Sequence, residues 1–283
     1  MKKRVTVVDV VILFFLLSFA FLTLYPFLFT LSGSLNEGLD YEYGGVGLLP
    51  RKFTLDNYSV VFSDSRLYRA FFNTVLVTAG GVFLSLLLTT CVAYAMANKH
   101  LKGKKFFWVF NIITMFFSGG MIPSYMLILA LGLFDSFLVY ILPAGYSVYN
   151  MIILSNFFRS IDGSIRESAV IDGANEFRIW ISLYIPLSKP ALATVGLWIA
   201  VSRWNSYLPT LLYTSKTENM WLLQYYLMRV IQEVTVPDID GAVVSQRTIS
   251  FAAMIVAVVP IVAVYPFISK FFTKGIMLGS LKG

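Results

Sequence analysis

The sequence predicts an all-α integral membrane protein: a bundle of six transmembrane helices with both termini in the cytoplasm. Three observations predict this fold class: the composition, the length of the apolar runs and the distribution of positive charge between them. Of the 283 residues, 58% are hydrophobic and only 13% are charged, whereas soluble globular domains carry about 25% charged residues. The chain therefore needs lipid, not water, as its main solvent.

Six apolar runs are long enough to cross a hydrocarbon core. A helix rises about 1.5 Å per residue, so about 20 residues span a core about 30 Å thick. The expected spans are 8–31, 72–97, 106–131, 137–157, 191–213 and 249–272. The first follows a basic start as a signal peptide does, but it is longer than the apolar core of about 7 to 15 residues in a signal peptide. We therefore expect it to be an uncleaved span. In the third, Gly119, Gly120 and Pro123 are a possible local interruption.

The connections between the spans alternate in charge, which predicts the orientation. Lys99, Lys102, Lys104 and Lys105 lie together in one short loop. With the N-terminus in the cytoplasm, 14 of the 22 basic residues lie inside, as the positive-inside rule requires. Two of the expected outer loops, 32–71 and 215–248, are long, and turn signals in the first predict a small folded cap instead of a linker.

The connection between the fourth and fifth spans has the pattern of short helices separated by a glycine. Ser164 and Glu167 have the spacing of a capping box, which would start the first helix, and Gly173 would stop it. A helix of about nine residues is marginal in water, so it must pack on its own bundle or on a partner. From the pattern alone, a mere connector remains an equal alternative.

A second short helix is expected to follow directly. Asn175 would cap it, it would continue through residues 180–183, and Pro186 would end it. Ser188 is expected to cap the next helix, with Pro190 near the first turn. These signals place small residues and carboxylates on an exposed face of the loop at about 163–190.

This loop resembles the coupling loop, known as the EAA motif, of permeases in binding-protein-dependent ABC importers. The positions that match the motif are Glu167, Ala169, Asp172, Gly173, Ala174 and Pro186, and Ser168 stands where alanine is usual. The resemblance implies that these residues dock into a cytoplasmic ATPase. Glu167 and Asp172 would orient the docked helix, and Gly173 would allow close backbone approach. Serine is nearly as small as alanine, so we expect the loop to dock normally with serine at this position.

Segments elsewhere in the chain resemble the maltose-type permeases of carbohydrate importers, at 53–58, 72–74, 93–104, 204–209 and 274–283. The stretch 119–125 together with the last segment resembles the subgroup that imports complex oligosaccharides. The resemblance implies a type I ABC importer permease fold, with residues 1–283 as one domain in a prokaryotic plasma (inner) membrane. It also implies that the tail at 273–283, with Lys274 and Gly275, is a second contact with the ATPase.

The implied function is that of a permease subunit in an ATP-driven importer of oligosaccharides. The implied partners are a second homologous permease, an ATPase dimer, an extracytoplasmic sugar-binding protein and the lipid bilayer, with no nucleic acid. The sequence contains no phosphate-cradling Gly-x-x-x-x-Gly-Lys-Ser/Thr loop, so we expect ATP and magnesium to bind to the partner ATPase and this chain to be neither an enzyme nor a cofactor protein. The alternatives are an ion-coupled secondary transporter, a permease for another small solute, or a membrane scaffold.

Few residues offer chemistry beyond this loop. Cys91 is the single cysteine and His100 the single histidine. We expect a small core residue and a solvated surface residue, respectively, and no metal site.

One charge, Arg203, lies well inside a predicted span. An intramembrane arginine is costly unless it faces water or a partner. We therefore weigh two roles equally: pairing with carbonyls or the second permease, and lining the translocation pathway with Asn205 and Tyr207. Tyr146 and Asn150 are further pathway candidates, although a core role is favoured for them.

Overall fold

The structure of the protein, a computed structural model, describes residues 6–44, 46–233 and 244–280, with side chains as far as Val264 and at Pro266. The described chain is helical, and its extended pairing is a single antiparallel bridge between Asn36 and Phe53. The α-helices are α1 (Val7–Ser34), α2 (Gly38–Glu42), α3 (Asp56–Ser63), α4 (Ser65–Ala97), α5 (Lys104–Phe116), α6 (Met121–Ala130), α7 (Val148–Ser160), α8 (Gly163–Ile171), α9 (Glu176–Ile179), α10 (Ile185–Leu187), α11 (Lys189–Trp204), α12 (Leu223–Glu233) and α13 (Gln246–Ser280).

Three helical segments are long and apolar enough to cross a membrane: α1, α4 and the Gln246–Val264 part of α13. They coincide with the first, second and sixth predicted spans. The number rises to five if each of two sharply bent helix pairs is taken as one span. The described residues thus contain three to five candidate spans, compared with the six spans that the sequence predicts.

The third predicted span, 106–131, is not one helix. It consists of α5 and α6, which meet at an angle of 111°. Gly120 is the residue before α6 and has φ +88°, a conformation that favours glycine. The interruption that Gly119, Gly120 and Pro123 suggested in this span is therefore present, as a sharp bend between two helices.

The fourth and fifth predicted spans are also broken. The fourth begins with the 3₁₀ turn Phe137–Tyr140, and the helix resumes only at α7, where the Ser147 side chain accepts a bond from the Asn150 amide. Pro143 lies between them and has no amide proton to donate to a helix. In the fifth, α11 ends at Trp204 and the π-helical segment Thr210–Thr214 follows.

The chain divides into two compact units. The first comprises Met1–Tyr68 and Tyr226–Pro260. Its centre is a buried polar network: Asn57 donates to the Ser34 and Asn36 carbonyls at 3.0 and 2.9 Å, and the Thr248 hydroxyl donates to Asn57 at 2.7 Å. Residues 32–44 and 46–68 are thus folded, as the turn signals of this segment predict. Close packing adds to this, because a Cβ on Gly38 would lie 2.2 Å from the Ser245 nitrogen.

An ion pair in the same unit joins Asp40 to Arg51 at 2.9 Å. Asp40 also accepts a bond from the Asn36 amide at 3.0 Å. The hydrogen bonds from Arg51 and then Asn36 hold the pKa of the Asp40 carboxyl below its ordinary value. The charged pair therefore fastens the residues after α1 to the chain near Arg51.

In the second unit, Arg69–Tyr225 with Ile261–Gly283, the described side chains form two apolar clusters. The larger buries residues of α4, α7, α11 and the segment 179–184, namely Ala93, Met96, Val148, Met151, Leu154, Phe158, Ile179, Tyr184, Val195 and Ile199. Cys91 is exposed, so its predicted core role is wrong. The buried face of α4 carries Thr89, Ala93 and Met96, and Cys91 lies on another face.

Candidate functional site

The helix α8 begins at Gly163, two residues earlier than the sequence pattern predicts. Asp162 occupies the N-cap, and its carboxylate accepts a hydrogen bond from the Ser164 amide at 3.0 Å. The predicted capping box of Ser164 and Glu167 is therefore wrong. An aspartate is as good an N-cap as serine, and once Asp162 takes this position, Ser164 lies inside the helix.

Gly173 ends α8, as predicted, and the structure shows how. The Ala174 amide bonds to the Ala169 carbonyl at 2.9 Å and the Gly173 amide to the Val170 carbonyl at 3.0 Å, which is a Schellman motif. Gly173 has φ +79°, and a Cβ placed there would meet nothing within 4 Å. The glycine is thus required by the left-handed backbone conformation and not by crowding within this chain.

The helix after the break is longer than expected. Asn175 caps it by accepting a bond from the Arg178 amide at 2.8 Å, which confirms that prediction. The chain continues through α9, the π-helical segment Trp180–Tyr184 and α10 to Leu187. Pro186 is the second-last residue of this helical stretch, which ends at Leu187, one residue past the end that the sequence predicts. Ser188 is the N-cap residue of α11, but its side chain makes no capping bond.

The face of α8 that points away from the protein is apolar and acidic. Ile171 is 86% exposed and Val170 48%, and no residue of this nine-residue helix is buried. Of the predicted docking residues, Glu167, Ser168, Asp172, Gly173 and Pro186 are exposed. Ala169 and Ala174 are half-buried and pack against the larger apolar cluster. One side of the loop thus packs against the helix bundle, and the other side is exposed.

An ion pair between Arg166 of α8 and Glu176 of α9 fixes the loop. The Tyr94 hydroxyl, from the end of α4, donates to the same carboxylate. Tyr94 in turn packs edge-on against Tyr184, with ring centroids 4.8 Å apart. Sequence reasoning missed these partners, because Arg166 and Glu176 are ten residues apart with a turn between them, and Tyr94 is distant in sequence.

A polar cavity of about 560 Å³ lies in the same unit. It brings together three of the five predicted pathway residues, Tyr146, Asn150 and Arg203, whereas Asn205 and Tyr207 do not line it. The Asn205 side chain instead donates to the Val201 carbonyl at 2.9 Å, closing the end of its own helix.

The Arg203 guanidinium donates to the Tyr140 carbonyl at 2.8 Å and the Ala144 carbonyl at 2.5 Å. A Cβ on Gly81 would lie 3.1 Å from Arg203 Nε, so this glycine makes room for the side chain. The carbonyl pairing considered for Arg203 is therefore present, and it holds the irregular chain between residues 140 and 144. The same side chain also faces the cavity, so the two roles are compatible.

The cavity contains residues that sequence reasoning missed. Trp198 and Ser202 line it from one face of α11, and Ser206 lines it from the turn after that helix; the three recur every four residues. That spacing is the signal that would have found them. Tyr149 lies across from Trp198, with ring centroids 6.3 Å apart. Aromatic faces beside hydroxyl and amide groups are suited to sugar rings and their hydroxyls.

The predicted second contact, Lys274 and Gly275, has its backbone within α13, while the Lys274 side chain and residues 281–283 lie outside the described part of the chain. Among the described residues, no three His, Cys, Asp or Glu side chains form a group able to hold a metal ion.

Comparison with known proteins gives concordant matches. Residues 92–277 match the family described as binding-protein-dependent transport system inner membrane component. The chain is 37% identical, over 100% of both chains, to the polygalacturonan/rhamnogalacturonan transport system permease protein YtcP of Bacillus subtilis (strain 168). It is 36% identical to the protein LplC of the same organism, over 99% of this chain and 97% of that one.

A solved structure is similar over nearly the whole chain. It is a crystal structure of a bacterial ABC transporter involved in the import of the acidic polysaccharide alginate, with a TM-score of 0.88 and 32% identity over 96% of this chain and 99% of that one. The family match, the full-length relatives and the shared fold agree with the family that the sequence resembles. This chain belongs to the family of binding-protein-dependent transport system inner membrane components, as a membrane-embedded permease subunit of an ABC importer that is not itself an enzyme.

Proposed function

We propose that this permease carries oligosaccharides across a prokaryotic plasma membrane and couples their import to ATP hydrolysis through α8. The observation that carries the coupling is the arrangement of α8, whose inner side is fixed by the Arg166–Glu176 pair while its outer side exposes Ile171. A helix of nine residues with no buried residue of its own has little reason to be held in place unless a partner covers it.

The proposed importer needs further subunits. We infer a second homologous permease, an ATPase dimer that binds ATP and magnesium, and an extracytoplasmic sugar-binding protein. Glu167 and Asp172 flank the exposed face of α8, where their carboxylates can bond basic or polar groups of the ATPase. The backbone around Gly173 is free of side-chain cover, so a partner can approach it closely. Lys274 and Gly275 would provide a second contact.

Six spans with both termini inside remain our proposal for the topology. In it, α1, α4 and α13 each cross once, and each of the other three spans is interrupted: α5 with α6, residues 137–160, and α11 with the segment after it. Irregular backbone inside a bilayer is tolerated where it is buried in protein or lines a cavity. The polar cavity adjoins two of these interrupted segments through Tyr146 and Ser206, which supports this arrangement.

The cavity with Arg203 is the proposed part of the translocation pathway in this subunit. Arginine carries five N–H donors, and the two described bonds to Tyr140 and Ala144 leave others for a ligand. One relative is a polygalacturonan/rhamnogalacturonan transport permease, and the similar solved structure is of a transporter involved in the import of the acidic polysaccharide alginate. Acidic oligosaccharides are therefore the first substrate class to test, with another small solute as the alternative.

Two measurements test this proposal together. First, the tagged chain is purified in detergent from cells that express the neighbouring transport subunits; we expect an ATPase and a second, nonidentical permease to co-purify. Second, uptake of oligogalacturonides is followed in reconstituted vesicles that contain the complex and the binding protein. Uptake that requires internal ATP and survives a protonophore supports the proposal. Uptake that a protonophore abolishes, with ATP irrelevant, would refute it.

A further inference from the structure

A second cavity, of about 330 Å³, lies where α4 and α7 end and α5 and α8 begin. Four cationic side chains line it, Lys99, Lys104, Arg159 and Arg166, together with one carboxylate, Glu167. None of these cationic residues belongs to the polar cavity with Arg203. Four positively charged side chains are thus concentrated around one cavity.

Three of these charges are not neutralised. Arg166 pairs with Glu176, but within the described residues no carboxylate forms an ion pair with Lys99, Lys104 or Arg159. The cations therefore repel one another across the cavity, and an anion placed between them would relieve that repulsion.

Two of the cations are held in place by neutral groups. Lys104 Nζ donates to the Asn98 carbonyl at 2.8 Å. Arg159 lies 5.0 Å from the centroid of the Trp108 ring and donates to the Met96 carbonyl at 3.4 Å. These contacts fix the positions of the two side chains without neutralising their charge, and each side chain keeps further N–H donors for a ligand. A preorganised set of cationic donors is typical of a site for phosphate.

We infer that this cavity binds a phosphate-bearing anion. Basic residues are common in loops beside membrane spans, because they favour the cytoplasmic side. That preference does not explain why these basic residues line one cavity. Lys102 and Lys105 lie in the same loop but do not line the cavity, so the general preference of basic residues for the cytoplasmic side is enough to explain them. The site lies at the end of α4, a candidate membrane span, where basic pockets bind anionic lipid headgroups. A soluble phosphate compound from the cytoplasm has the same chemistry.

The inference does not depend on docking at α8, although Arg166 and Glu167 place a bound anion beside that helix. Its test compares charge removal inside the cavity with charge removal just outside it. Lys104→Gln and Lys99→Gln remove lining charges, and Lys102→Gln and Lys105→Gln are controls with the same net charge. Lys99 is exposed and has no described hydrogen bond, so Lys99→Gln keeps the test valid if Lys104→Gln fails to fold.

Two probes distinguish the sources of phosphate. The full-length protein is reconstituted in phosphatidylcholine nanodiscs with a fraction of phosphatidylglycerol, and the lipids that it retains are counted by native mass spectrometry. In parallel, inorganic phosphate and glucose 6-phosphate are titrated calorimetrically into protein in phosphatidylcholine alone. For the probe that binds, we expect Lys104→Gln and Lys99→Gln each to weaken binding about tenfold, the effect of losing one charge-assisted bond, whereas the two controls match the unmodified protein.

Each outcome has a definite meaning. Retention of phosphatidylglycerol that depends on Lys99 and Lys104 supports a lipid headgroup site, and calorimetric binding with the same dependence supports a soluble phosphate site. The inference is overturned if neither probe binds, or if Lys102→Gln and Lys105→Gln weaken binding as much as the cavity variants, because the effect would then be one of general surface charge.

Discussion

Arg166 of α8 and Glu176 of α9 form an ion pair across the Gly173 break, which closes two short helices into one unit. The Tyr94 hydroxyl donates to the same carboxylate and connects that unit to the end of α4. In the proposed importer this connection lets a movement of the docked helix reach a candidate membrane span.

Glu176→Ala should loosen α8 with little loss of overall stability. The side chains are 25% and 54% exposed, and an exposed pair contributes about 0.2–1 kcal/mol. We therefore expect a melting temperature close to that of the unmodified protein, but faster hydrogen exchange at the amides of α8. The control is Glu218→Ala, which removes an exposed carboxylate elsewhere. Unchanged exchange at α8 would show that the ion pair does not hold the helix.

Substitutions at Gly173 should follow backbone conformation and not side-chain size. An L-residue at φ +79° costs about 1–2 kcal/mol, so Gly173→Ala should lower the melting temperature of the permease. Gly173→Asn should cost less, because asparagine adopts the left-handed conformation more readily. Gly163→Ala is the matched control, since that glycine has neither a positive φ nor a neighbour within 4 Å of its Cβ. Equal effects at both glycines would contradict this account of the Schellman motif.

Gly38→Ala should disrupt the first unit. The added methyl would lie 2.2 Å from the Ser245 nitrogen and 2.3 Å from the Val244 carbonyl carbon. Backbone cannot swing aside as a flexible side chain can, and overpacking costs about 1–3 kcal/mol or more. We expect a lower melting temperature and a lower yield of folded protein, whereas Gly47→Ala, with open space at its Cβ, should have neither effect. A normal melting temperature for Gly38→Ala would refute this close packing.

The polar cavity can be tested without breaking a hydrogen bond. Ser202 is exposed, lines the cavity and has no described bond, so Ser202→Trp should obstruct uptake while assembly and melting temperature stay normal. Ser59→Trp, at an exposed serine of the first unit whose side chain also has no described bond, is the matched control. Normal oligosaccharide uptake by assembled Ser202→Trp would exclude this cavity from the pathway.

Arg203→Ala gives the complementary result. It removes two bonds from a charged donor to carbonyls, each worth about 1.5–3 kcal/mol, so it should lower the melting temperature as well as uptake. Comparing it with Ser202→Trp separates the structural role of Arg203 from its place in the pathway.

Local signals in the sequence predicted local structure well. Asn175 and Gly173 act within one turn, so their roles followed from capping preferences and backbone conformation alone. The N-cap of α8 was misassigned because Asp162 and Ser164 are both good caps and only the folded chain decides between them. The exposed, apolar spans themselves followed from composition, as α1 shows.

Tertiary features were not accessible in the same way. The bend between α5 and α6 follows from Gly120, but its angle of 111° depends on packing. The anchor from Tyr94 to Glu176 joins residues 82 positions apart. The cavity face of Trp198, Ser202 and Ser206 was readable from its spacing, yet hydropathy alone marks these residues as ordinary members of a span.

The most direct test of the central claim, that α8 docks the ATPase, is substrate-stimulated ATP hydrolysis by the co-purified complex with and without Ile171→Asp. Ile171 is 86% exposed, so the substitution leaves the fold of this chain intact while placing a charge in the proposed interface. Leu49→Asp, at a side chain 79% exposed in the first unit, is the control. We predict that Ile171→Asp loses the ATPase from the complex or loses stimulation, while Leu49→Asp keeps both. Full stimulation in an intact Ile171→Asp complex would contradict the claim.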